Sequence, residues 1–261
     1  LFGFDPAVMP RNLTIARGTA TVSPLDMARG FAIFANGGYR IQPYLIERVE
    51  EEGRGVVYQA APETVCRDCG GGGAPGGKPL APRVLNAENV HMITSVLQDV
   101  TRRGTAAAAR VLNRKDIAGK TGTTNDWRDA WFNGYTPALA ASSWVGFDSM
   151  KPLGKGEVGG KAALPAWIAF MREALKDVPD APLPMPAGLV AVKIDPGTGL
   201  KAGPGEEGVF EIFRATEVPR MVEVGEDGEP LGPAVLGGSG SGAARAAGRG
   251  SDAGAPLQDL F

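Results

Sequence analysis

Three strand-like segments follow one another between Asp116 and Asp148 with very short connections. They are Ile117–Thr124, Ala130–Tyr135 and Ala138–Phe147. Residues 125–128 form the first connection, and the Thr136–Pro137 pair ends the second segment. Loops this short predict an antiparallel meander of three strands, which is the strongest constraint that this sequence places on the fold.

Helical patterns precede and follow the meander. Ser23 can cap a helix over 23–38, Pro24 suits its first turn, and Asp26 completes a capping-box pattern. A second helix begins at Asn86, and a third spans 162–175. Their predicted apolar faces are Val90, Ile93, Leu97 and Val100, and Leu164, Trp167, Ile168 and Met171. The third helix would cover the sheet, so the predicted fold class is α+β, an antiparallel sheet flanked by helices.

Glycine and proline shape the remaining segments. The 261 residues include 38 Gly and 21 Pro, yet 43% are hydrophobic, which predicts one folded domain with glycine-rich loops or tails. Strands at 44–50 and 56–59 predict a hairpin, and a loop follows over 60–82. The predicted organisation is a main domain (1–178), a Pro-rich linker (179–187), a small extension (188–231) and a disordered Gly/Ala/Ser-rich tail (232–261). Strands are expected in the extension at 189–194 and 209–213.

Charge and histidine content exclude several classes of function. The 27 basic and 29 acidic residues leave a formal net charge of -2, without the basic excess that duplex-binding proteins use. No apolar stretch approaches the roughly 18 residues that span a bilayer. The single histidine, His91, argues against a His-rich metal site or a Ser–His–Asp triad. We therefore predict no metal and no cofactor.

Cys66 and Cys69 form one CxxC pair. Zinc needs four ligands, and no second pair or neighbouring histidine supplies them. Gly70–Gly73 follow the pair, whereas a thioredoxin-like motif lies at a strand-to-helix junction. A disulfide that staples the loop in an oxidising compartment, or two idle thiols, remain as interpretations.

The segment Gly119–Thr124, of sequence GKTGTT, carries the chemistry. The Lys120 ammonium can hold a substrate carboxylate, and neighbouring threonine hydroxyls can donate further hydrogen bonds to it. Gly122 has no side chain, so an extended peptide can lie against the strand edge, and the Thr123 N–H could supply half of an oxyanion hole. Lys-Thr-Gly on a strand is the third motif of penicillin-binding serine acyltransferases. The alternative for a bare triplet is a surface strand end.

Other stretches match the same class of protein. They are 16–18 with 22–28, 34–38, 103–106, 119–124, 129–134 and 144–146. On these residues the sequence resembles the C-terminal part of the transpeptidase domain of class A, bifunctional penicillin-binding proteins. The resemblance covers residues 1–178 and, more loosely, 188–215. It implies the fold shared by penicillin-binding transpeptidases and serine β-lactamases, here incomplete at the N-terminus.

The resemblance implies a serine acyltransferase that cross-links peptidoglycan. A stem peptide's penultimate D-Ala acylates a serine, the terminal D-Ala leaves, and an amine from a neighbouring strand takes the acyl group. By resemblance Lys120 and Thr123 are catalytic, and the substrate-binding residues are Lys120, Thr121, Gly122, Thr123, Thr124 and Trp127. The implied ligands are stem peptides and β-lactams, and an outer-membrane lipoprotein activator is a further implied partner. The implied location is the periplasmic face of the inner membrane.

The sequence departs from the family pattern in one large respect. None of its serines is followed by Lys three residues later or by Asn two residues later, so the S-x-x-K and S-x-N motifs are absent. In the family these motifs precede the Lys-Thr-Gly strand, so we expect them before Leu1. A glycosyltransferase domain and the membrane anchor are expected further upstream. The chain alone should therefore be inactive.

Two other functions remain open at this point. One is a non-catalytic module that binds a cell-wall peptide or a partner along the Lys120 strand. The other is a piece of a class D-like β-lactamase, which shares Lys-Thr-Gly but lacks the long helix-and-hairpin preamble. Among single residues, Trp144 is predicted in the core, Asp129 in a structural role and Ser142–Ser143 at solvent-facing strand positions, while Trp127 fits either core or groove.

Overall fold

The computed structural model describes residues 1–66, 78–149 and 151–221. The chain divides into two compact units, Leu1–Val192 with Phe210–Val218, and Lys193–Val209 with Pro219–Phe261. The helices are α1 (Pro24–Ala35), α2 (Ala87–Arg102), α3 (Gly159–Ala162) and α4 (Leu164–Ala174), with short 3-10 segments at Leu13–Arg17, Ala107–Leu112 and Asn125–Trp127. The strands are β1 (Arg48–Glu51), β2 (Gly55–Gln59), β3 (Ala118–Thr123), β4 (Asp129–Thr136), β5 (Leu139–Gly146), β6 (Leu189–Ile194) and β7 (Val209–Arg214).

The predicted meander is confirmed as an antiparallel sheet in the order β3-β4-β5. Side chains alternate between its two faces, so the register sorts the residues into rows. The Phe132 face carries the row Thr121, Phe132 and Ser143. The lysine face carries the row Lys120, Asn133 and Ser142, and next to it the row Gly122, Trp131 and Trp144.

Helix α4 covers the Phe132 face, as predicted. The Phe132 and Trp167 rings meet edge to face with centroids 4.8 Å apart, and the Trp167 indole N–H donates to the Ala141 carbonyl at 3.1 Å. All four residues of the predicted apolar face of this helix are buried. They form the main core with Ala106, Ala109, Ile117, Ala130, Phe132, Ala163 and Leu175. The fold is therefore α+β, with its main core under α4.

Helix α1 packs on the other face at the Tyr135 end of the sheet. Tyr135 is 1% exposed and contacts the rings of Phe31 and Phe34. The predicted capping box is present, because the Ser23 hydroxyl oxygen accepts from the Asp26 N–H at 3.1 Å and the Asp26 carboxylate accepts from the Ser23 N–H at 3.3 Å. Hydrogen bonding from Ser23 lowers the pKa of the Asp26 carboxyl. This helix closes one end of the lysine face.

Helix α2 lies beside β3 and differs from the prediction at one position. Val90 and Thr101 are buried on it, whereas Ile93 is 44% exposed. The Thr94 hydroxyl contacts the Tyr135 hydroxyl at 2.8 Å, and the Thr101 hydroxyl donates to the Ile117 carbonyl at 3.1 Å. The inward face of α2 therefore includes the buried Thr101 and the half-buried Thr94, which a purely apolar pattern does not detect.

The predicted hairpin is present as β1 and β2, although the first strand is shorter than expected. It begins at Arg48, so the prediction of a strand over 44–47 was wrong. Every residue of the two strands is exposed. Tyr44, Leu45 and Ile46, just before the hairpin, are exposed as well, so in the described part of the chain their apolar pattern does not mark a buried strand.

Strands β6 and β7 pair as a two-stranded sheet, close to the predicted positions. A turn follows β6, in which the Asp195 carboxylate accepts from the Thr198 N–H at 2.7 Å. This bond lowers the pKa of Asp195. The domain boundaries at 178, 187 and 231 remain a prediction, and the tail at 232–261 lies outside the described residues. No helix in the described part of the chain is both long and apolar enough to cross a bilayer.

Candidate active site

Strand β3 begins in the core and becomes exposed towards its C-terminal end. The Lys-Thr-Gly motif lies where this exposure begins. Ala118 and Gly119 are buried, whereas Lys120 and Thr123 are exposed. In the three-stranded sheet β3 is an outer strand, paired with β4. An outer strand presents backbone donors and acceptors to an extended peptide. The buried start of β3 therefore anchors a motif that a ligand can reach.

Lys120 keeps exposed surface, yet the surrounding protein displaces enough water to lower the pKa of its ammonium. Its Nζ donates to the Thr121 carbonyl at 3.0 Å, and its position lies opposite Asn133 on β4. Partial desolvation strengthens the attraction between an ammonium and a carboxylate. The arrangement suits the binding of an anionic group at the edge of β3.

The hydroxyls of Thr121 and Thr123 project on the side of β3 opposite to Lys120, and each has a fixed partner. The Thr121 and Thr105 hydroxyl oxygens lie 2.8 Å apart. The Thr123 hydroxyl oxygen accepts from the Gly159 N–H at 3.0 Å, which leaves its proton for donation to a ligand. Thr105 and Gly159 were not predicted as site residues, although Thr105 lies in the stretch 103–106 that carries the family resemblance and Gly159 lies in a glycine-rich segment, 154–160.

Helix α3 touches the β3–β4 ladder through Gly159. A Cβ at this position would lie 2.6 Å from the Gly122 carbonyl oxygen and would also collide with the Trp131 carbonyl oxygen. Both are backbone atoms of the sheet, so only glycine allows this approach. The prediction of one helix over 162–175 was therefore incomplete, because a separate short helix begins at Gly159 and contacts the motif.

The β3–β4 turn holds Thr124 and Trp127 at the end of the motif strand. The Asp129 N–H donates to the Thr124 hydroxyl at 2.8 Å, and the Thr124 N–H donates to the Asp129 carbonyl at 3.1 Å. Asp126 and Trp127 have φ angles of 60° and 51°, a left-handed conformation that costs on the order of 1–3 kcal/mol for such residues. The Leu153 N–H donates to the Trp127 carbonyl at 2.8 Å and fixes this geometry. Asp129 thus has the structural role that was predicted.

Trp144 does not lie in the core, contrary to the prediction. It is 37% exposed because the alternation of β5 places it on the lysine face, away from α4. Its ring lies 6.1 Å from that of Trp131, and its indole N–H donates to the Asp129 carboxylate at 2.9 Å. Trp127 is half-buried at the end of β3, which leaves it available as a wall of the site.

Ser142 and Ser143 are half-buried rather than solvent-facing, so that prediction was also wrong. The Ser142 hydroxyl donates to the Asn133 side-chain oxygen at 2.6 Å, and the Ser143 hydroxyl donates to the Ala163 carbonyl at 3.0 Å. Both protons are therefore engaged in holding β5 to its neighbours. Neither bond provides the general base that a nucleophilic serine needs.

The sequence also raised the questions of a metal site and of the cysteine pair. Among the described residues, no group of three or more His, Cys, Asp or Glu side chains could hold a metal ion. Cys66 is disulfide-bonded, whereas Cys69 lies outside the described residues.

Comparison with known proteins places this geometry in a family. The family model "Penicillin binding protein transpeptidase domain" matches residues 9–165. Penicillin-binding protein 1A of Pseudomonas aeruginosa is 42% identical over 255 residues, which covers 85% of this chain and 31% of the relative. Penicillin-binding protein 1A of Vibrio cholerae is 38% identical over 250 residues, which covers 84% of this chain and 30% of that relative. The chain thus spans about a third of the length of these relatives.

Solved structures show the same likeness in three dimensions. The crystal structure of penicillin-binding protein 1A from Haemophilus influenzae matches with a TM-score of 0.76 at 35% identity, covering 84% of this chain and 36% of that one. The PonA1 protein of Mycobacterium tuberculosis in complex with penicillin V matches with a TM-score of 0.52 at 25% identity, covering 67% of this chain and 44% of that one.

Proposed function

The chain belongs to the penicillin-binding protein transpeptidase family, and on that premise we propose that it supplies the carboxylate-binding part of a serine D,D-transpeptidase. The substrate class is a peptidoglycan stem peptide ending in D-Ala-D-Ala, and β-lactams are the corresponding inhibitors. The observation that carries the proposal is the Lys-Thr-Gly-Thr strand itself. It is an outer strand with a partly desolvated ammonium and two hydroxyls whose partners are fixed.

Each residue of the motif has a distinct role in this proposal. Lys120 binds the terminal carboxylate through its ammonium, which bends to the Thr121 carbonyl of the strand itself, and the Thr121 and Thr123 hydroxyls donate to the same group from the other side of β3. Gly122 lets the substrate backbone lie against β3, and Thr124 and Trp127 bound the site at the end of the strand. The Thr123 N–H donates, in this proposal, to the oxyanion that forms when the penultimate D-Ala carbonyl is attacked.

The attacking serine lies outside these 261 residues in this proposal. Its Oγ forms a bond to the penultimate D-Ala carbonyl carbon, and the bond to the terminal D-Ala nitrogen breaks with transfer of a proton to that nitrogen. An amine of a neighbouring stem peptide then attacks the ester, releases the serine and completes the cross-link. Lys120, beside this centre, biases the proton transfers electrostatically.

The longer protein that we propose around this chain follows the pattern of class A penicillin-binding proteins. It carries S-x-x-K and S-x-N segments, a glycosyltransferase domain and a membrane anchor, and it works at the periplasmic face of the inner membrane. A lipoprotein activator of the outer membrane is a further proposed partner.

Intact-mass spectrometry after incubation with benzylpenicillin tests this function. We expect one penicilloyl adduct on the full-length protein, on a serine outside these 261 residues, and none on the chain alone. Heat-denatured full-length protein is the control for non-specific acylation. An adduct on any serine of this chain, or no adduct on the native full-length protein, would contradict the proposal.

A further inference from the structure

We propose that Thr105 is a positioning residue of this site, which sets the direction in which Thr121 donates its hydroxyl proton to the ligand carboxylate. The inference rests on the proposed function of the Lys120 strand and adds a residue outside the Lys-Thr-Gly motif. It is carried by the contact between the Thr105 and Thr121 hydroxyls, whose oxygens lie 2.8 Å apart.

The backbone around Thr105 is held in place on both sides. Helix α2 ends at Arg102, and the Gly104 N–H donates to the Asp99 carbonyl at 3.0 Å as the chain turns back over the helix. A Cβ at Gly104 would lie 2.8 Å from the Val100 Cα, so a larger residue would push this turn outward. Ala106, on the other side, is fully buried in the main core. This fixed turn therefore places Thr105 beside β3.

The chemistry of a bound carboxylate selects one direction for the hydrogen bond between the two hydroxyls. Either threonine can donate in the unliganded site. A carboxylate only accepts hydrogen bonds, so Thr121 must donate its single proton to the ligand. Its oxygen then accepts from Thr105, and the two bonds strengthen one another because each polarises the next. Without the Thr105 hydroxyl, this donor to the Thr121 oxygen is lost.

Thr123 gives an internal contrast within the same strand. Its oxygen accepts from the Gly159 backbone N–H, a group that can only donate. The Thr123 proton is therefore available to a ligand whether or not the site is occupied. Of the two motif hydroxyls, only Thr121 depends on a partner side chain for its direction, which makes Thr105 the residue to change.

The test measures second-order acylation of the full-length protein by benzylpenicillin and by its methyl ester, which lacks the carboxylate. Thr105→Val removes the hydroxyl at nearly constant volume, and Thr105→Ser keeps it. We expect Thr105→Val to react roughly threefold to tenfold more slowly than wild type with the acid, as expected for one neutral hydrogen bond, and within twofold of wild type with the ester. Thr105→Ser should recover most of the rate with the acid.

Thr94→Val is the matched control. It breaks another hydroxyl–hydroxyl contact of 2.8 Å, between Thr94 and Tyr135, at the far end of the sheet. Its ratio of acid to ester rates should equal that of wild type. Melting temperatures of all variants report any general loss of structure.

The outcomes separate this inference from the proposed function. If wild type is acylated and Thr105→Val reacts with the acid at the wild-type rate, the inference fails and the proposed function stands. An equal loss with acid and ester would make Thr105 a merely structural residue and would also overturn the inference. If native wild type is not acylated at all, the proposed function fails and the inference fails with it.

Discussion

At the scale of single residues, the Lys120 ammonium suits the binding of an anionic ligand but lowers the stability of the folded protein. Burial lowers the pKa of its ammonium below the ordinary value of 10.5. The folded protein therefore holds this charge less readily than the unfolded chain does. The unfavourable contribution is fully present below the lowered pKa and disappears as the pH rises to 10.5.

Because the Lys120 charge contributes unfavourably to stability, its removal leads to a prediction. Lys120→Met removes the desolvated charge and keeps an unbranched side chain of similar length. We expect a melting temperature at neutral pH that is equal to or slightly above that of wild type, because the site is built for binding rather than for stability. Thermal unfolding measured by circular dichroism checks it. A fall of several degrees would show that the Lys120 charge stabilises the fold, against this account.

Tyr135 affects the stability of the fold in the opposite direction to Lys120 as the pH rises in the alkaline range. Burial raises the pKa of its phenol to about 12, from an ordinary value of 10.0. Its contribution to stability is therefore fully present below pH 10.0 and is lost as the pH rises towards about 12. We expect wild type to lose free energy of unfolding more steeply than Tyr135→Phe over this range.

Urea unfolding at several alkaline pH values measures the difference. Tyr58→Phe is the matched control, because Tyr58 is 49% exposed on the hairpin, and it should follow wild type. Parallel pH profiles for wild type and Tyr135→Phe would contradict the assignment of this alkaline loss to Tyr135.

At the scale of elements, the contact between α3 and the β3–β4 ladder predicts a strong effect of one methyl group. In Gly159→Ala the new Cβ meets the Gly122 and Trp131 carbonyl oxygens, which cannot move without moving the sheet. We expect a loss of about 1–3 kcal/mol in the free energy of unfolding, together with slower acylation, because the Gly159 N–H also bonds to Thr123.

The matched control is Gly30→Ala, also at a glycine within a helix. A Cβ at Gly30 would meet only the Phe4 ring, at an ordinary distance of 3.4 Å. Replacing glycine by alanine inside a helix stabilises it by up to roughly 1 kcal/mol. Equal stabilities for the Gly159→Ala and Gly30→Ala variants, from urea unfolding, would refute the close approach of α3 to the sheet.

Elements with a complete local signal were predictable from the sequence. The capping box of α1 lies within four residues, the meander follows from loop length, and the buried face of α4 follows from the spacing of its four apolar residues. Each of these signals depends on neighbours in the chain. Such segments can be predicted from the sequence because their local signals agree with the fold that forms.

Features that depend on distant contacts were not predictable. Trp144 has a hydrophobic ring, but only the register of β5 decides that it faces away from α4. Ile93 has the right spacing for burial, yet it is 44% exposed, whereas Thr94 and Thr101 form hydrogen bonds to the sheet and to the segment before it. Thr105 and Gly159 reach the motif from segments 16 and 36 positions away from their partners, which no local pattern encodes.

At the scale of the whole molecule, the described residues cover the Phe132 face of the sheet fully and the lysine face only in part. The main core lies under α4, and α1 closes the Tyr135 end. Lys120 and Trp144 at the other end keep exposed surface. A ligand can therefore reach the edge of β3 without disturbing the core, and function and stability should respond separately to substitutions there.

The most direct test of the central claim is the second-order rate constant for acylation of the full-length protein by benzylpenicillin, compared between wild type and Lys120→Ala. Loss of a charge-assisted hydrogen bond costs roughly 1.5–3 kcal/mol, so we expect the rate to fall about tenfold or more. Lys120→Arg should recover part of it, because the charge remains but its reach and its ability to titrate change. Lys176→Ala, at an exposed lysine just after α4, is the matched control and should react like wild type. A wild-type rate in Lys120→Ala, at an unchanged melting temperature, would mean that the Lys-Thr-Gly segment is only a strand end and would contradict the account.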